Sequence, residues 1–512
     1  MTIFAATYII EPMKRASGIL LHIANLPSAY GIGQLGKPAF DFVDFLAEAG
    51  QSYWQVLPLV PTGYGDSPYQ SCCASAGSEY FIDIESLTAR GLLEKKETAE
   101  LVTYSSSRID YERLFFNVTG VLRKAFARAD RCGAAFAEFL RAGEYADYAL
   151  FRAIKEYFGH KAWCEWPDGY KFRDEKTVTA FKKAHAEDIL FWQWCQFEFF
   201  AEWSALKKYA NDRGVKIIGD IPIYVAYDSV ECWTRPELMQ LDGDLSPTVV
   251  AGCPPDYFSE DGQLWGNPVY NWDIMKADGY AWWKSRLAKC FRLFDLVRID
   301  HFRGFDRFFT IKFGAPNATE GEWQDGPSTA MFKEIERETG SLSVIAEDLG
   351  TLDDSARAMF AEVGYPGMKI LEYAFDSPDN DYLPSNYASG NCVVYPGTHD
   401  NDTLAGFIGG MTWEQSNAFR EAVLGEYSRL GLAADIECAD DLRRAVIRLG
   451  FESKALLVVV QLQDFMGIGS EGRINEPSTL STKNWSYRVP ADYATQELAT
   501  EIKSMTKETG RE

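Results

Sequence analysis

The segment FDLVRIDHFRGF, residues 294 to 305, places charged side chains at the end of a short apolar run. Its centre, LVRID (296 to 300), has the composition of a buried strand, in which successive side chains point to opposite faces. Arg298 and Asp300 therefore share one face, and the arginine can hold the aspartate ionised in a partly dry site. An aspartate that stays ionised in such surroundings suits a nucleophile.

Seven further apolar runs resemble this one, because each ends in polar or glycine-containing sequence and helical stretches separate most of them. They are GILLHI (18 to 23), YWQVLPL (53 to 59), VKIIGDI (215 to 221), LSVIAEDLG (342 to 350), MKILEYAF (368 to 375), CVVYPGTHD (392 to 400) and ALLVVVQLQD (455 to 464). Apolar strands that alternate with helices indicate a parallel sheet covered by helices. Eight such units predict an α/β protein of the (β/α)8 TIM barrel type, and an open doubly wound sheet is the alternative.

The uneven spacing of the eight runs predicts inserted helical and loop subdomains within one catalytic barrel that covers residues 1–512. A mainly helical insertion at 86–205 follows the second strand, and its aromatic residues recur at the spacing of a buried helix. A loop-rich insertion at 222–295 follows the third strand. Its segment at 253–272 is too rich in Pro, Gly and Asn for regular structure, and we expect it to form part of a substrate cleft.

Composition excludes several classes of function. The net charge of -23 repels polyanions and no basic patch offsets it, so nucleic acid is not an expected partner. No apolar run approaches the roughly 20 residues that span a membrane, and IFAATYII (3 to 10) lacks a preceding basic segment, so we expect a cytoplasmic protein without a membrane partner. The ten cysteines include no C-x-x-C pair and the five histidines no H-x-x-x-H, which predicts reduced thiols and no metal site.

Four carboxylates stand at the ends of predicted strands: Asp220, Asp300, Glu347 and Asp400. A lone carboxylate there is usually a helix cap or a solvated ion, but the strand ends of a barrel form one common mouth. The residues that precede Glu347 on its strand are apolar. Burial among them would raise the pKa of Glu347 and keep a proton available, as a general acid requires. A paired Asp and Glu, about 5 to 5.5 Å apart, is the arrangement of retaining glycoside chemistry.

Other ligands are less consistent with these residues. No phosphate-binding glycine motif follows a strand. A divalent metal held by Asp300, Glu347 and Asp400 stays possible, although Arg298 competes for the same negative charge. The segments PTGYGDSPYQ (61 to 70) and GQLWGNPVYNW (262 to 272) supply aromatic and polar side chains that suit sugar rings, or that only fix the conformation of a loop.

Long segments of the chain resemble the amylomaltases, the 4-α-glucanotransferase or disproportionating-enzyme family allied to the α-amylases. They are LPSAYGIGQLG (26 to 36), YWQVLPLVPTGYGDSPYQS (53 to 71), GDIPIYVAYDS (219 to 229), PPDYFSEDGQLWGNPVYNW (254 to 272), VRIDHFRGF (297 to 305), IAEDLG (345 to 350) and GTHDNDT (397 to 403). The resemblance implies transfer of a 1,4-α-glucan segment to the 4-hydroxyl of an acceptor glucan or glucose, without a cofactor. Maltooligosaccharides and α-1,4-glucans would be its substrates.

The resemblance also implies a role for each matching residue. Asp300 would be the nucleophile, Glu347 the general acid and base, and Asp400 the stabiliser of the transition state. Sugar contacts would come from Tyr69, Asp220, Arg298 and His399, and from Phe258, Gln263, Trp265 and Asn267 in a loop that arches over the cleft. His301 and Arg303 would support the nucleophile.

Three positions depart from the family pattern, and two other functions compete with transfer. Ser78 and Glu79 stand where the family usually has Asn-Pro, and Ser478 stands where it usually has Gly, which affects loop shape more than the reaction. A hydrolase of the amylase type would use the same carboxylates with water as the acceptor. A glucan-binding protein without catalysis is the other alternative, but it would have no need of a proton donor.

Overall fold

The structure is a computed structural model that describes residues 14–103, 107–255, 260–350 and 352–512. These residues contain twelve strands, named here in chain order. They are β1 (Ala16–Leu20), β2 (Tyr53–Gln55), β3 (Lys216–Ile221), β4 (Val249–Cys253), β5 (Gln263–Pro268), β6 (Leu296–Ile299), β7 (Arg307–Lys312), β8 (Glu322–Asp325), β9 (Val344–Ala346), β10 (Gly367–Ile370), β11 (Cys392–Tyr395) and β12 (Leu457–Gln461).

Eighteen α-helices lie in the same described ranges. They are α1 (Lys37–Glu48), α2 (Ile84–Ala89), α3 (Tyr111–Phe126), α4 (Ala134–Ala142), α5 (Ala146–Tyr157), α6 (Asp168–Lys171), α7 (Glu175–Ala184), α8 (Ala186–Asp212), α9 (Val230–Thr234), α10 (Trp272–Ala277), α11 (Ala281–Leu293), α12 (Ser328–Thr339), α13 (Asp354–Val363), α14 (Leu404–Gly409), α15 (Trp413–Arg429), α16 (Ala439–Glu452), α17 (Leu462–Met466) and α18 (Gln496–Glu508). None of these helices is long and apolar enough to cross a membrane.

Eight parallel strands form a barrel in the order β10, β11, β12, β1, β2, β3, β6, β9. The first and last strands of this order, β10 and β9, also meet and close the barrel. The N–H of Ala346 in β9 donates to Pro366 O, directly before β10, over 3.0 Å. The N–H of Met368 donates to the Asp348 carboxylate over 2.7 Å at the same seam. Each of the eight predicted runs overlaps a barrel strand, so the (β/α)8 prediction is confirmed and the open-sheet alternative is wrong.

The barrel strands are buried on both faces, which explains their continuous apolar runs. In β12, Leu457 and Val459 pack inside the barrel with Tyr53, Met368 and Tyr395. Val458 and Val460 of the same strand point outward into the core shared with the helices. Each fully buried side chain of this kind contributes roughly 1.5–3 kcal/mol, and the alternation fixes the register of the strand.

A second, antiparallel sheet lies beside the barrel, with the strand order β5, β4, β7, β8. Its strand β5 falls within 253–272, so the expectation that this segment lacks regular structure is wrong. The reason is that β5 is an edge strand, where Pro268 and the positive φ of Gly266 (+76°) are tolerated because one side of the strand carries no partner. Its ladder with β4 also carries a register irregularity between Val250 and Gly252.

Helices α2 to α8 connect β2 to β3 and cover this side of the barrel. Trp192, Trp194 and Trp203 of α8 are buried, which agrees with the expectation that the aromatic residues of this helix serve packing. The indole of Trp203 donates to Leu293 O over 3.0 Å and so joins α8 to the end of α11. The boundaries assigned to the two insertions, 86–205 and 222–295, stay a prediction.

Candidate active site

The mouth of the barrel collects the carboxylates that the sequence places at strand ends. Asp220 lies in β3, Asp300 directly follows β6, Glu347 follows β9 and Asp400 lies in the loop after β11. The neighbouring strands β3 and β6 pair Asp220 with Arg298, and β6 in turn pairs with β9. The register of three adjacent strands therefore brings Arg298 to the side chains that it contacts.

Arg298 connects three of the four carboxylates. Its Nη1 lies 2.8 Å from both oxygens of Asp220, and its Nη2 lies 2.9 Å from Asp300 Oδ1. The same Nη2 is 3.9 Å from Glu347 Oε2. Burial opposes the charge of the guanidinium, but attraction to Asp220 and then to Asp300 raises the pKa of Arg298 well above its ordinary value. The arginine is thus a permanent cation between the carboxylates.

Asp300 is oriented from two directions. Its backbone N–H donates to Ile221 O over 2.9 Å, which ties the end of β6 to the end of β3. Its carboxylate contacts Arg298 as the alternation of the strand predicts, and 31% of the side chain is exposed. The carboxylate is therefore both fixed and open to a ligand in the mouth.

Glu347 is enclosed, and its surroundings favour the protonated form. Burial, followed by the negative charge of Asp300, raises the pKa of Glu347 to about 8, although Arg298 and a backbone N–H oppose the shift. That N–H belongs to His301 and donates to Glu347 Oε2. His301 has a left-handed backbone (φ +50°), a conformation that is unusual for this residue type and directs the N–H at Glu347. A proton is thus held beside Asp300 at neutral pH.

The resemblance predicts that His301 and Arg303 support Asp300, and in the structure these two residues contact different parts of the site. His301 contacts Glu347 rather than the nucleophile through a hydrogen bond. The Arg303 guanidinium lies 4.4 Å from the centre of the Trp323 ring, and its Nη2 is 3.4 Å from Asp353 Oδ2. Among its described contacts, Arg303 thus links neighbouring loops at the edge of the mouth.

Asp400 is held by residues that the sequence did not single out. Asn475 Nδ2 donates to Asp400 Oδ1 over 2.7 Å, and Arg473 Nη2 donates to the backbone oxygen of Asp400 over 2.9 Å. The Nε2 atom of His399 lies 3.5 Å from Asp400 Oδ2. Asn475 and Arg473 belong to the segment 473–488, which drew attention only because of Ser478.

An aromatic wall lines the same side of the mouth. The rings of Tyr69 and His399 are parallel to within 6° with their centres 5.3 Å apart. The Trp485 ring lies 5.7 Å from Tyr69 and 5.9 Å from His399. Tyr69 also donates its hydroxyl to Asp220 Oδ2 over 3.0 Å. The sequence analysis does not predict Trp485 as part of the site, because a single Trp beside Asn in a loop gives no indication of where its ring lies.

Strand β5 carries three of the predicted sugar contacts to the opposite side. The Trp265 ring stands edge-on to His301, with the ring centres 4.8 Å apart, and its indole donates to Gln263 Oε1 over 3.1 Å. Asn267 is buried, and its amide bonds to Gln70 and to Val225 O. The fourth predicted contact of this loop, Phe258, lies outside the described residues.

A guanidinium occupies the centre of the carboxylate cluster. In the part of the chain that the structure describes, no group of three or more His, Cys, Asp or Glu side chains is arranged to hold a metal. The guanidinium of Arg298 stands between Asp220, Asp300 and Glu347, where a metal would otherwise balance their charge. Asp400, with 40% of its side chain exposed, faces the mouth from the loop after β11.

Comparison with known proteins identifies the family. The sequence model of the 4-alpha-glucanotransferases matches residues 21–494. A 4-alpha-glucanotransferase of Clostridium butyricum is 41% identical, and the match covers 96% of this chain and 100% of the relative. A 4-alpha-glucanotransferase of Thermus thermophilus is 42% identical, and the match covers 98% of this chain and 99% of the relative. The structure of the amylomaltase from Streptococcus agalactiae, a complex with acarbose, matches with a TM-score of 0.91 and 38% identity over 97% of this chain and all of that one. The chain therefore belongs to the 4-alpha-glucanotransferase family.

Proposed function

We propose that this 4-alpha-glucanotransferase transfers segments of α-1,4-glucans by a retaining double displacement at Asp300 and Glu347. The observation that carries the proposal is the environment of this pair. One guanidinium nitrogen of Arg298 lies 2.9 Å from Asp300 and 3.9 Å from Glu347, while burial and Asp300 raise the pKa of Glu347 to about 8. One carboxyl is paired with a cation and the other favours its protonated form, an arrangement that suits a nucleophile beside a general acid.

In the first displacement the Asp300 carboxylate attacks the anomeric carbon of the donor. The bond from that carbon to the glycosidic oxygen breaks, and this oxygen takes the proton of Glu347 as the leaving chain departs. A covalent ester then joins the donor segment to Asp300. Asp400 faces the mouth as an anion and stabilises the positive charge that develops on the sugar ring.

In the second displacement the 4-hydroxyl of an acceptor replaces the leaving chain. Glu347, now deprotonated, removes the proton of this hydroxyl, and the hydroxyl oxygen attacks the anomeric carbon. The ester to Asp300 breaks, the configuration of the donor is retained and Glu347 recovers its proton. One α-1,4 bond is broken and one is formed, so the carboxyl groups end in their starting states and no cofactor takes part.

The substrate follows from the walls of the mouth. The parallel rings of Tyr69 and His399, backed by Trp485, suit the apolar face of a glucose unit, and the pair Asp220 and Arg298 suits its hydroxyls. We assign sugar contacts to these side chains and, from the other side, to Gln263, Trp265 and Asn267, with Phe258 as a further predicted contact. Maltooligosaccharides and longer α-1,4-glucans are the donors, and either a glucan or glucose is the acceptor.

The products formed from maltotriose test this function. The protein, incubated with maltotriose alone, should yield glucose together with longer maltooligosaccharides, while the number of reducing ends stays nearly constant. A hydrolase would instead increase the reducing ends and leave only shorter products, and a glucan-binding protein would leave maltotriose unchanged. Chromatography with a reducing-end assay separates these outcomes, and the Asp300→Asn variant is the inactive control. Rising reducing ends without longer chains would disprove transfer.

A further inference from the structure

A hydrogen-bond network lies beneath the loop that carries His399 and Asp400. It starts at Glu372, which follows β10 in a 3-10 turn, Leu371–Tyr373. The backbone N–H of Glu372 donates to Pro396 O over 3.0 Å, so this residue lies beside the chain that leaves β11. Glu372 therefore approaches the catalytic loop from the neighbouring strand of the barrel.

Asn401 connects Glu372 to this loop. Its Nδ2 donates to Glu372 Oε2 over 2.9 Å and to the Tyr373 hydroxyl over 2.8 Å. Its Oδ1 accepts hydrogen bonds from the backbone N–H and from the hydroxyl of Thr398, both over 2.9 Å. The side-chain amide of Asn401 thus has one end on the 3-10 turn after β10 and the other inside the turn at 398–401.

Asp400 lies within the same turn. Its N–H contacts the Thr398 hydroxyl over 3.3 Å, and the N–H of Asn401 donates to Thr398 O over 3.1 Å. The segment 473–475 contacts Asp400 from the other side through Arg473 and Asn475. Asp400 is therefore held from two sides: the turn and Arg473 contact its backbone, Asn475 contacts its carboxylate, and the turn depends on Glu372 through Asn401.

The carboxyl group of Glu372 packs closely against the segment that follows β11. A Cβ at Gly397 would lie 2.9 Å from Glu372 Oε1 and 3.1 Å from Asn401 Cβ, so a larger residue there would force the carboxyl to shift. Burial, followed by the negative charge of Asp464, raises the pKa of Glu372 well above its ordinary value. This shift favours the uncharged carboxyl, a form that adds no second negative charge behind Asp400.

We propose that Glu372 is a positioning residue for the reaction and holds the Asp400 carboxylate in place through Asn401. The inference rests on the role that the proposed function gives to Asp400. Asp400 stabilises charge from a loop rather than from a strand, and a displacement of about 1 Å in such a group costs about 100-fold in rate. An anchor that removes this freedom affects the transition state more than the binding of the substrate.

Two substitutions of Glu372 separate the hydrogen bond from the volume of the side chain. Glu372→Met keeps most of the volume but cannot accept from Asn401, and we expect kcat for maltotriose to fall about 10- to 100-fold with KM within about twofold. Glu372→Gln can accept the same bond and should restore kcat to within about threefold of the parent. Asn401→Ala removes the link from its other end. If Glu372→Met does not fold, Asn401→Ala tests the same link and should lower kcat by the same factor.

Asp464 offers a matched control. It is a buried acid in α17, directly after β12, but its Oδ1 accepts from the N–H of Leu404 instead of from the turn at 398–401. We expect Asp464→Leu to lower the melting temperature while kcat of the folded enzyme stays within about twofold. Equal losses of kcat in Asp464→Leu and Glu372→Met would mean that any damage to this region slows the enzyme, and would overturn the proposal.

A double-mutant cycle distinguishes this proposal from the function on which it rests. With α-maltotriosyl fluoride as donor, Glu372→Met should slow the parent enzyme but have almost no further effect in Asp400→Asn, because the group that it positions is already altered. The same fold-loss in both backgrounds, or an unchanged kcat in Glu372→Met, would disprove the positioning role. An Asp400→Asn variant with full activity would instead disprove the role of Asp400 itself.

Discussion

Arg298 Nη1 lies 2.8 Å from both carboxylate oxygens of Asp220, in a pair whose side chains are 4% and 0% exposed. The guanidinium therefore has two partners, because its other nitrogen contacts Asp300. Asp220 fixes the direction of the arginine, and the arginine orients Asp300, the proposed nucleophile. The contact of Nη1 with Asp220 is bifurcated, and the planar guanidinium holds its second nitrogen at Asp300 at the same time, which the single nitrogen of a lysine could not do in this geometry.

Replacing Arg298 by Met should destabilise the protein and abolish turnover together. Removal of one partner leaves Asp220 as an uncompensated buried charge, which typically costs about 3–5 kcal/mol in the free energy of unfolding. Urea denaturation and maltotriose turnover measure the two effects. Lys37→Met is the control, because its pair with Asp41 is exposed and such pairs contribute about 0–1 kcal/mol. A loss below about 1 kcal/mol in Arg298→Met would contradict the proposed importance of the buried pair.

Neutralising either reacting carboxyl should remove turnover and leave glucan binding largely intact. Asp300→Asn removes the atom that forms the covalent ester, and Glu347→Gln removes the proton donor, while both keep the shape of the side chain. Turnover of maltotriose and its affinity for each variant, measured by calorimetry, separate chemistry from binding. A variant that keeps a rate within about tenfold of the parent, a barrier difference of about 1.4 kcal/mol, would exclude that residue from its assigned role.

The pH dependence should report the proton on Glu347. Burial and the charge of Asp300 raise its pKa to about 8, so the group is protonated below that pH and loses its proton above it. The value of kcat/KM should therefore fall as the pH rises through about 8. A rate that still increases well above pH 8 would count against Glu347 as the acid.

The same pKa can be observed without turnover. In Asp300→Asn the neighbouring negative charge is gone, and the pKa of Glu347 should move down toward its ordinary value. Carbon NMR of labelled glutamate carboxyls, with Glu347→Gln to assign the signal, measures this shift. An unchanged pKa would mean that burial alone determines it.

The positions of the acidic residues could be predicted because they depend on one rule of the fold. The carboxyl ends of parallel strands meet at one mouth, so Asp220, Asp300, Glu347 and Asp400 could be grouped as soon as the eight strands were recognised. The alternation of side chains along β6 also predicted the contact between Arg298 and Asp300. Both inferences use only local pattern and the strand count.

The remaining contacts depend on relations between distant segments. The pairing of Arg298 with Asp220 follows from the register of β3 with β6, which no single strand encodes. Asn475 and Trp485 reach the mouth from a loop after β12, and their approach depends on tertiary packing. Strand β5 was missed for a different reason, since an edge strand can contain Gly and Pro that would exclude an inner strand.

Arg511 is fully buried at the end of the barrel opposite to the active site. Its guanidinium donates to backbone oxygens at the start of two strands, Ala16 O in β1 over 3.0 Å and Ala455 O before β12 over 3.1 Å. It also donates to Phe451 O over 2.7 Å and to Ser453 O over 2.8 Å. With a longer contact of 3.4 Å to Gly450 O, one side chain thus contacts five carbonyl groups and connects the end of the chain to the base of the barrel.

Arg511→Met should lower stability without changing catalysis. Methionine fills part of the space but removes one donor from each of these carbonyl oxygens, although Phe451 O and Ser453 O keep a hydrogen bond from Arg15. Each buried group that is left without any donor costs about 1–3 kcal/mol. We expect a loss of at least about 2 kcal/mol in urea denaturation, with kcat for maltotriose unchanged at a temperature where the variant is folded, because the change lies far from the mouth.

Arg141→Met is the control, since that exposed arginine donates to a single carbonyl, Ala137 O, over 3.3 Å, and its loss should change stability by less than about 0.5 kcal/mol. If the two variants were equally stable, water would have replaced the guanidinium of Arg511. If Arg511→Met instead lost kcat without losing stability, the base of the barrel would be coupled to the active site.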